Sequence, residues 1–138
     1  MKIVINRCYG GFGISHEGMM RYYEIKGVNV YPEKNTWFWT YWLVPASEHV
    51  SSTILEKWST LSIEDRTEYN KQYREQTLSS SEISRDDQAL VQVVEEMGES
   101  ANGEHADLKV VEIPDGVQWQ IEEYDGMEHI AEVHHTWS

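Results

Sequence analysis

One cysteine, three prolines and only 11 Lys and Arg against 24 Asp and Glu set the first limits on this 138-residue chain. Cys8 has no partner within the chain, so a disulfide framework is excluded. No apolar run is long enough to span a bilayer, and no secretory signal is legible, so the expected compartment is a reducing cytosol and no membrane partner is expected. With three Pro and nine Gly the chain is not a low-complexity linker. The shortage of cations argues against a nucleic-acid polymer as ligand, because phosphate contacts need Lys and Arg.

Aromatics are plentiful. Six Trp, eight Tyr and 40% hydrophobic residues describe a folded domain large enough to bury a core. The net charge of −13 is uneven. Residues 1–60 hold six bases against five acids, whereas 61–138 hold 19 acids against five bases. An acidic half of this kind is either a solvated face or a mimic of nucleic acid presented to a basic partner.

The chain is organised around Asn6-Arg7-Cys8-Tyr9-Gly10-Gly11-Phe12-Gly13-Ile14-Ser15. It follows an apolar run, Lys2 to Ile5, that reads as a strand, and it precedes Met19, Tyr22, Tyr23 and Lys26 at helical spacing. Three glycines in four positions permit close backbone approach. Tyr9 and Phe12 either cap the core or stack on a ligand, and Arg7 offers a fixed cation. The stretch is thus a tight strand-to-helix turn or a nucleotide cradle. It is not a phosphate loop of the Walker type, since no Lys-Ser/Thr follows Gly13, and its spacing misses the dinucleotide fingerprint.

Local signals predict the elements. Ser15 caps a helix over His16 to Lys26 that Gly27 ends. Val28 to Tyr31 reads as a strand stopped by Pro32, and Trp37 to Val44 as an aromatic strand with both faces apolar, ended by Pro45. Ser62 with Asp65 resembles a capping box for a helix from Ile63 to about Glu75. Ser84 caps a helix whose apolar face is Leu90, Val93, Val94 and Met97. Leu108 to Ile113, Val117 to Glu122 and Met127 to Trp137 read as a three-stranded antiparallel meander with turns at Pro114-Asp115-Gly116 and Tyr124-Asp125-Gly126. The expected fold is α+β: an N-terminal strand and this C-terminal meander, with two or three helices packed on the sheet, in a single domain over 1–138.

Chemistry-bearing patterns are sparse. His129, His134 and His135 cluster at the end, but on a strand His129 and His135 share a face about 20 Å apart, and His134 and Glu132 share the other face one pleat apart, two candidate ligands where zinc takes three or four. No metal and no cofactor are expected. His49-Val50-Ser51 and His134-His135-Thr136 contain the two His-x-Ser/Thr tripeptides of 2H phosphoesterases, in which histidines act as acid and base. Cys8 reads as a nucleophile or as a small buried side chain. No pair of carboxylates stands out as a general acid and base, so no catalytic residue is assigned.

Tyr9-Gly10-Gly11-Phe12-Gly13-Ile14-Ser15 after a strand resembles the start of a family of small proteins found in phages and prophages. The ending is similar too, from Ile113-Pro114-Asp115-Gly116-Val117-Gln118-Trp119 through Tyr124-Asp125-Gly126 to His134-His135-Thr136-Trp137. In this likeness residues 28–85 are a variable insert. The nearest functional analogy is with phage sponge proteins of the anti-CBASS and anti-Thoeris type, which are oligomeric and sequester cyclic-nucleotide or cyclic ADP-ribose immune signals without cleaving them. The resemblance implies a homo-oligomer in the cytoplasm of an infected bacterium. Together with the loop chemistry and the surplus of aromatics, it suggests a pocket in which Arg7 meets phosphate, Tyr9, Phe12 and Tyr124 stack on bases, and Gly10, Gly11, Ser15, His134 and Thr136 make polar contacts, with Trp137 as a further wall. An acidic protein inhibitor that imitates nucleic acid and a 2H phosphodiesterase are the alternatives.

Overall fold

A computed structural model describes residues 1–34, 38–49 and 58–133. In chain order the regular elements are β1 (Lys2–Asn6), α1 (His16–Lys26), β2 (Tyr31–Lys34), β3 (Trp39–Trp42), α2 (Ile63–Gln76), β4 (Thr77–Leu78), α3 (Gln88–Met97), β5 (Leu108–Glu112), β6 (Trp119–Tyr124) and β7 (Met127–Glu132). All strand pairs are antiparallel, and the class is α+β. The chain divides into two compact units, Met1–Val28 with the chain from Ser80 onward, and Asn29–Ser79.

In the first unit α1 forms where its local chemistry directs. The Ser15 hydroxyl accepts from the Gly18 N–H, Glu17 and Lys26 sit at the ends that suit the helix dipole, and Gly27 closes the helix at φ 71°. The apolar stripe of α3 buries Leu90, Val93 and Val94 against α1 and β1. Leu90 and Val93 are fully buried, as are Ile3 and Val4, and each contributes about 2 kcal/mol by leaving water.

The cap of α3 differs from the sequence expectation. Asp87, not Ser84, is the N-cap, its carboxylate accepting from the Ala89 N–H. Residues 84–87 instead close a turn through Asp87 N–H to Ser84 O, which leaves the Ser84 hydroxyl bonded to Asp86. Asp87 also accepts from the Tyr22 hydroxyl at 2.7 Å and pairs with Lys26 at 3.2 Å, tying the two helices together.

The C-terminal strands pair otherwise than as one meander. β5 pairs with β1, from Lys2↔Glu112 to Asn6↔Leu108, while β6 and β7 form a separate hairpin. Two features explain this. The Met1 ammonium holds Ile113 O and Asp115, which fixes the chain after β5 against the N-terminus. The Asp125-Gly126 turn, with both φ values positive (53° and 90°), matches the twist of a two-residue hairpin and makes β7 the partner of β6.

The second unit holds the three-stranded sheet, in the order β2-β3-β4. Pro32 does not stop β2 but lies within it, opposite Tyr41, and Val28 to Val30 are not strand. A proline is tolerated there because β2 is an edge strand. Of the aromatic run, Tyr41 and Trp42 are buried, Phe38 is exposed, and Trp37 falls outside the described residues. α2 forms as the Ser62 cap predicts and buries Tyr69. Tyr73 and Trp58 pack edge-on to Trp42 and Tyr69 respectively.

Candidate functional site

The loop after β1 is fastened by one side chain. Asn6 is fully buried, and its amide makes four hydrogen bonds. Nδ2 donates to Cys8 O and Gly126 O, and Oδ1 accepts from the N–H groups of Cys8 and Asp107. These use every donor and acceptor the amide has. One residue therefore joins the loop, the start of β5 and the turn of the β6–β7 hairpin.

Gly10 of the loop and Gly126 of the hairpin turn admit close backbone approach, while the Cβ direction of Gly11 is open. A Cβ on Gly10 would lie 2.1 Å from His105 O, and one on Gly126 would lie 2.5 Å from Gly11 N. The loop is thus pressed between the residues preceding β5 and the hairpin turn. Of the two readings open from the sequence, the geometry is that of a tight packed turn.

The far edge of β1 is closed by a charged pair. The Val4 N–H donates to Arg85 O, and the Asn6 N–H donates to Glu128 Oε1. Arg85 and Glu128 form a two-point pair at 2.6 and 2.8 Å, with Glu128 4% exposed. Burial alone would raise the Glu128 carboxyl, but the hydrogen bonds from Arg85 and from the Asn6 N–H outweigh it and hold it below the usual range. The Arg85 guanidinium also lies 3.5 Å from the centre of the Phe12 ring, covering one face of it. Nothing local marks Arg85, Glu128 or His105 as neighbours of this loop; they meet it only through long-range packing.

Tyr9 and Tyr124 are left outermost, 64% and 76% exposed. Each lies two residues from the Gly11–Gly126 contact, so the fold brings the loop and the hairpin turn together. Arg7 is exposed, and its guanidinium makes no hydrogen bond or ion pair among the described residues. Its own N–H donates to Asp107 O. Ser15 serves the helix: its hydroxyl accepts from Gly18 and donates to Ser100 O. His134, Thr136 and Trp137 fall outside the described residues.

Of the 2H tripeptides, Ser51, His134, His135 and Thr136 are likewise outside them. His49 is held structurally, stacked on Trp42 at 3.7 Å with Nε2 against Val44 O at 3.0 Å. Cys8 is half-buried. Among the described residues no group of three or more His, Cys, Asp or Glu could hold a metal, and no helix is long and apolar enough to cross a membrane. No family model, curated protein or solved structure matches the chain.

Proposed function

We propose that the protein is a binding module that captures a small cyclic nucleotide on the rim formed by Arg7, Tyr9 and Tyr124, and holds it without cleaving it. The observation that carries this reading is the exposure of two tyrosines on a backbone that Asn6 and Gly126 hold in place. Large aromatic faces in water are costly to maintain, and a base stacking on each contributes about 1–3 kcal/mol. Arg7 lies in the same loop and supplies a guanidinium for phosphate. Phe12 would act from beneath, its outer environment set by Arg85. The acidic remainder of the chain favours a small ligand over a polymer, which it would repel. A homo-oligomer would let two rims close over one ligand, in the manner of the phage sponge proteins that supply the functional analogy.

The structural engagement of His49 speaks against a 2H phosphodiesterase, because a ring stacked on Trp42 and bonded to Val44 O is poorly placed to move a proton on a substrate.

The test incubates the full chain with cyclic di- and trinucleotides and cyclic ADP-ribose isomers. Thermal shift and calorimetry read binding, and chromatography after heat release reads integrity. One member of the panel should bind, return intact, and lose at least about tenfold in affinity with Arg7→Ala or Tyr9→Ala. A cleaved ligand, a panel with no binder, or variants that bind as wild type would each refute the reading.

A further inference from the structure

The register of β1 with β5 decides which backbone groups of β5 face away from the sheet. Arg7 N–H donates to Asp107 O and Ile113 N–H to Met1 O, so the residues bonded to β1 are Asp107, Lys109, Val111 and Ile113. Leu108, Val110 and Glu112 therefore turn their N–H and C=O groups to the outer edge. The same phase on β1 turns Val4 and Asn6 outward, and their N–H groups are the ones that Arg85 and Glu128 receive. The edge of β1 is thus closed, whereas that of β5 is closed at one point. Asn102 Oδ1 accepts from the Leu108 N–H at 2.9 Å, and among the described residues nothing bonds the outward groups of Val110 and Glu112.

Beside that edge lies a groove of about 290 Å³. Its apolar lining is Val94, Leu108 and Val110, and the acids Glu95, Glu99 and Asp107 stand around it with Lys109 as the one base. Glu112 extends the same strand. An unpaired edge, an apolar groove along it and an acidic border are the components of a strand-addition site.

We infer that the β5 edge docks an extended segment of a partner protein that carries, on one face, apolar residues flanked by bases. The segment adds as a strand to β5, its apolar side chains enter the groove against Val94 and Val110, and the Lys or Arg side chains that flank them on the same face meet Glu99 and Glu112. Charge selects this occupant over a second copy of the chain, because each copy brings a net charge of −13 to the interface. The site does not include the Arg7–Tyr9–Tyr124 rim.

The test uses the full chain and a fluorescein-labelled octapeptide with valine at positions 3 and 5, lysine at positions 1 and 7 and threonine elsewhere, read by anisotropy. Its controls are the same octapeptide with glutamate for lysine and the lysine–valine peptide with alternate amides N-methylated. The lysine–valine peptide should bind, weaken with salt, and lose about tenfold on N-methylation, while the acidic peptide should not bind. Val110→Pro removes an outward N–H and no β1–β5 bond, and should lose about tenfold as well. The double variant Glu99→Lys, Glu112→Lys keeps the backbone intact and should lose as much, deciding the matter even where the proline variant does not fold. Arg7→Ala should bind the peptide as wild type, separating this site from the nucleotide rim. The inference is overturned if the peptide does not bind, if N-methylation or charge reversal changes nothing, or if the wild type is a dimer that Val110→Pro splits.

Discussion

Arg85 and Glu128, 43 residues apart, meet in a two-point ion pair that closes the open edge of β1 and fixes the hairpin to it. The side chains are 21% and 5% exposed, so neither charge is well hydrated. A pair of this kind adds modest net stability when complete, yet breaking it leaves a buried charge without compensation.

Glu128→Gln should therefore destabilise the fold by about 3 kcal/mol, and Arg85→Met by at least as much. The first leaves Arg85 unneutralised and weakens the acceptor for the Asn6 N–H. Urea unfolding measures both. A loss below about 1 kcal/mol would mean that the pair is as weak as an exposed one.

The same carboxylate predicts an acid limb. Glu128 and Asp87 both titrate below their ordinary values in the folded chain, burial opposing the shift and hydrogen bonds from Arg85 and from Tyr22 and Lys26 overcoming it. Depressed values mean that their contribution is present above the unfolded values near about 4 and is lost as pH falls through the folded ones. Melting temperature should drop steeply below about pH 4, less so in Glu128→Gln. At the other end, burial and then Asp87 raise the Tyr22 hydroxyl, so its contribution is lost as pH rises above about 10, and Tyr22→Phe should flatten that limb.

Gly10 and Tyr9 are adjacent but should behave oppositely. Gly10→Ala puts a methyl against the His105 backbone and should cost about 2–3 kcal/mol in unfolding free energy. Tyr9→Ala, at an exposed position, should change stability by no more than about 0.5 kcal/mol while removing nucleotide binding. Equal destabilisation by the two would show that the tyrosine is a packing residue.

Asn6→Ala leaves the backbone groups of Cys8, Asp107 and Gly126 without their buried partner. A loss of about 3–4 kcal/mol is expected. Hydrogen exchange should show loss of protection at Cys8 and Asp107 first, before α3. Uniform loss across the unit would mean that the loop and the core open together.

The sequence by itself determined what is decided within a turn of chain. Ser15 and Gly27 bound α1, Ser62 starts α2, and Asp125-Gly126 makes the hairpin, because caps and tight turns depend on neighbouring side chains and on φ. For the candidate site the sequence named Arg7 and Tyr9 but left open whether Tyr9 caps the core, and its exposure came from the tertiary structure. What only the tertiary structure decided is everything that requires two distant segments to meet. The expected meander paired β5 with β6, whereas β5 pairs with β1, 102 to 110 residues away in the chain, and the Met1 ammonium on Ile113 and Asp115 fastens the end of that pair. Ser84 was the expected cap of α3, and Asp87 takes that place, where Tyr22 and Lys26 also reach it. The glycines read equally as a cradle or as a packed turn. Packing at two points gives the turn, with the His105 backbone against Gly10 and Gly126 against Gly11.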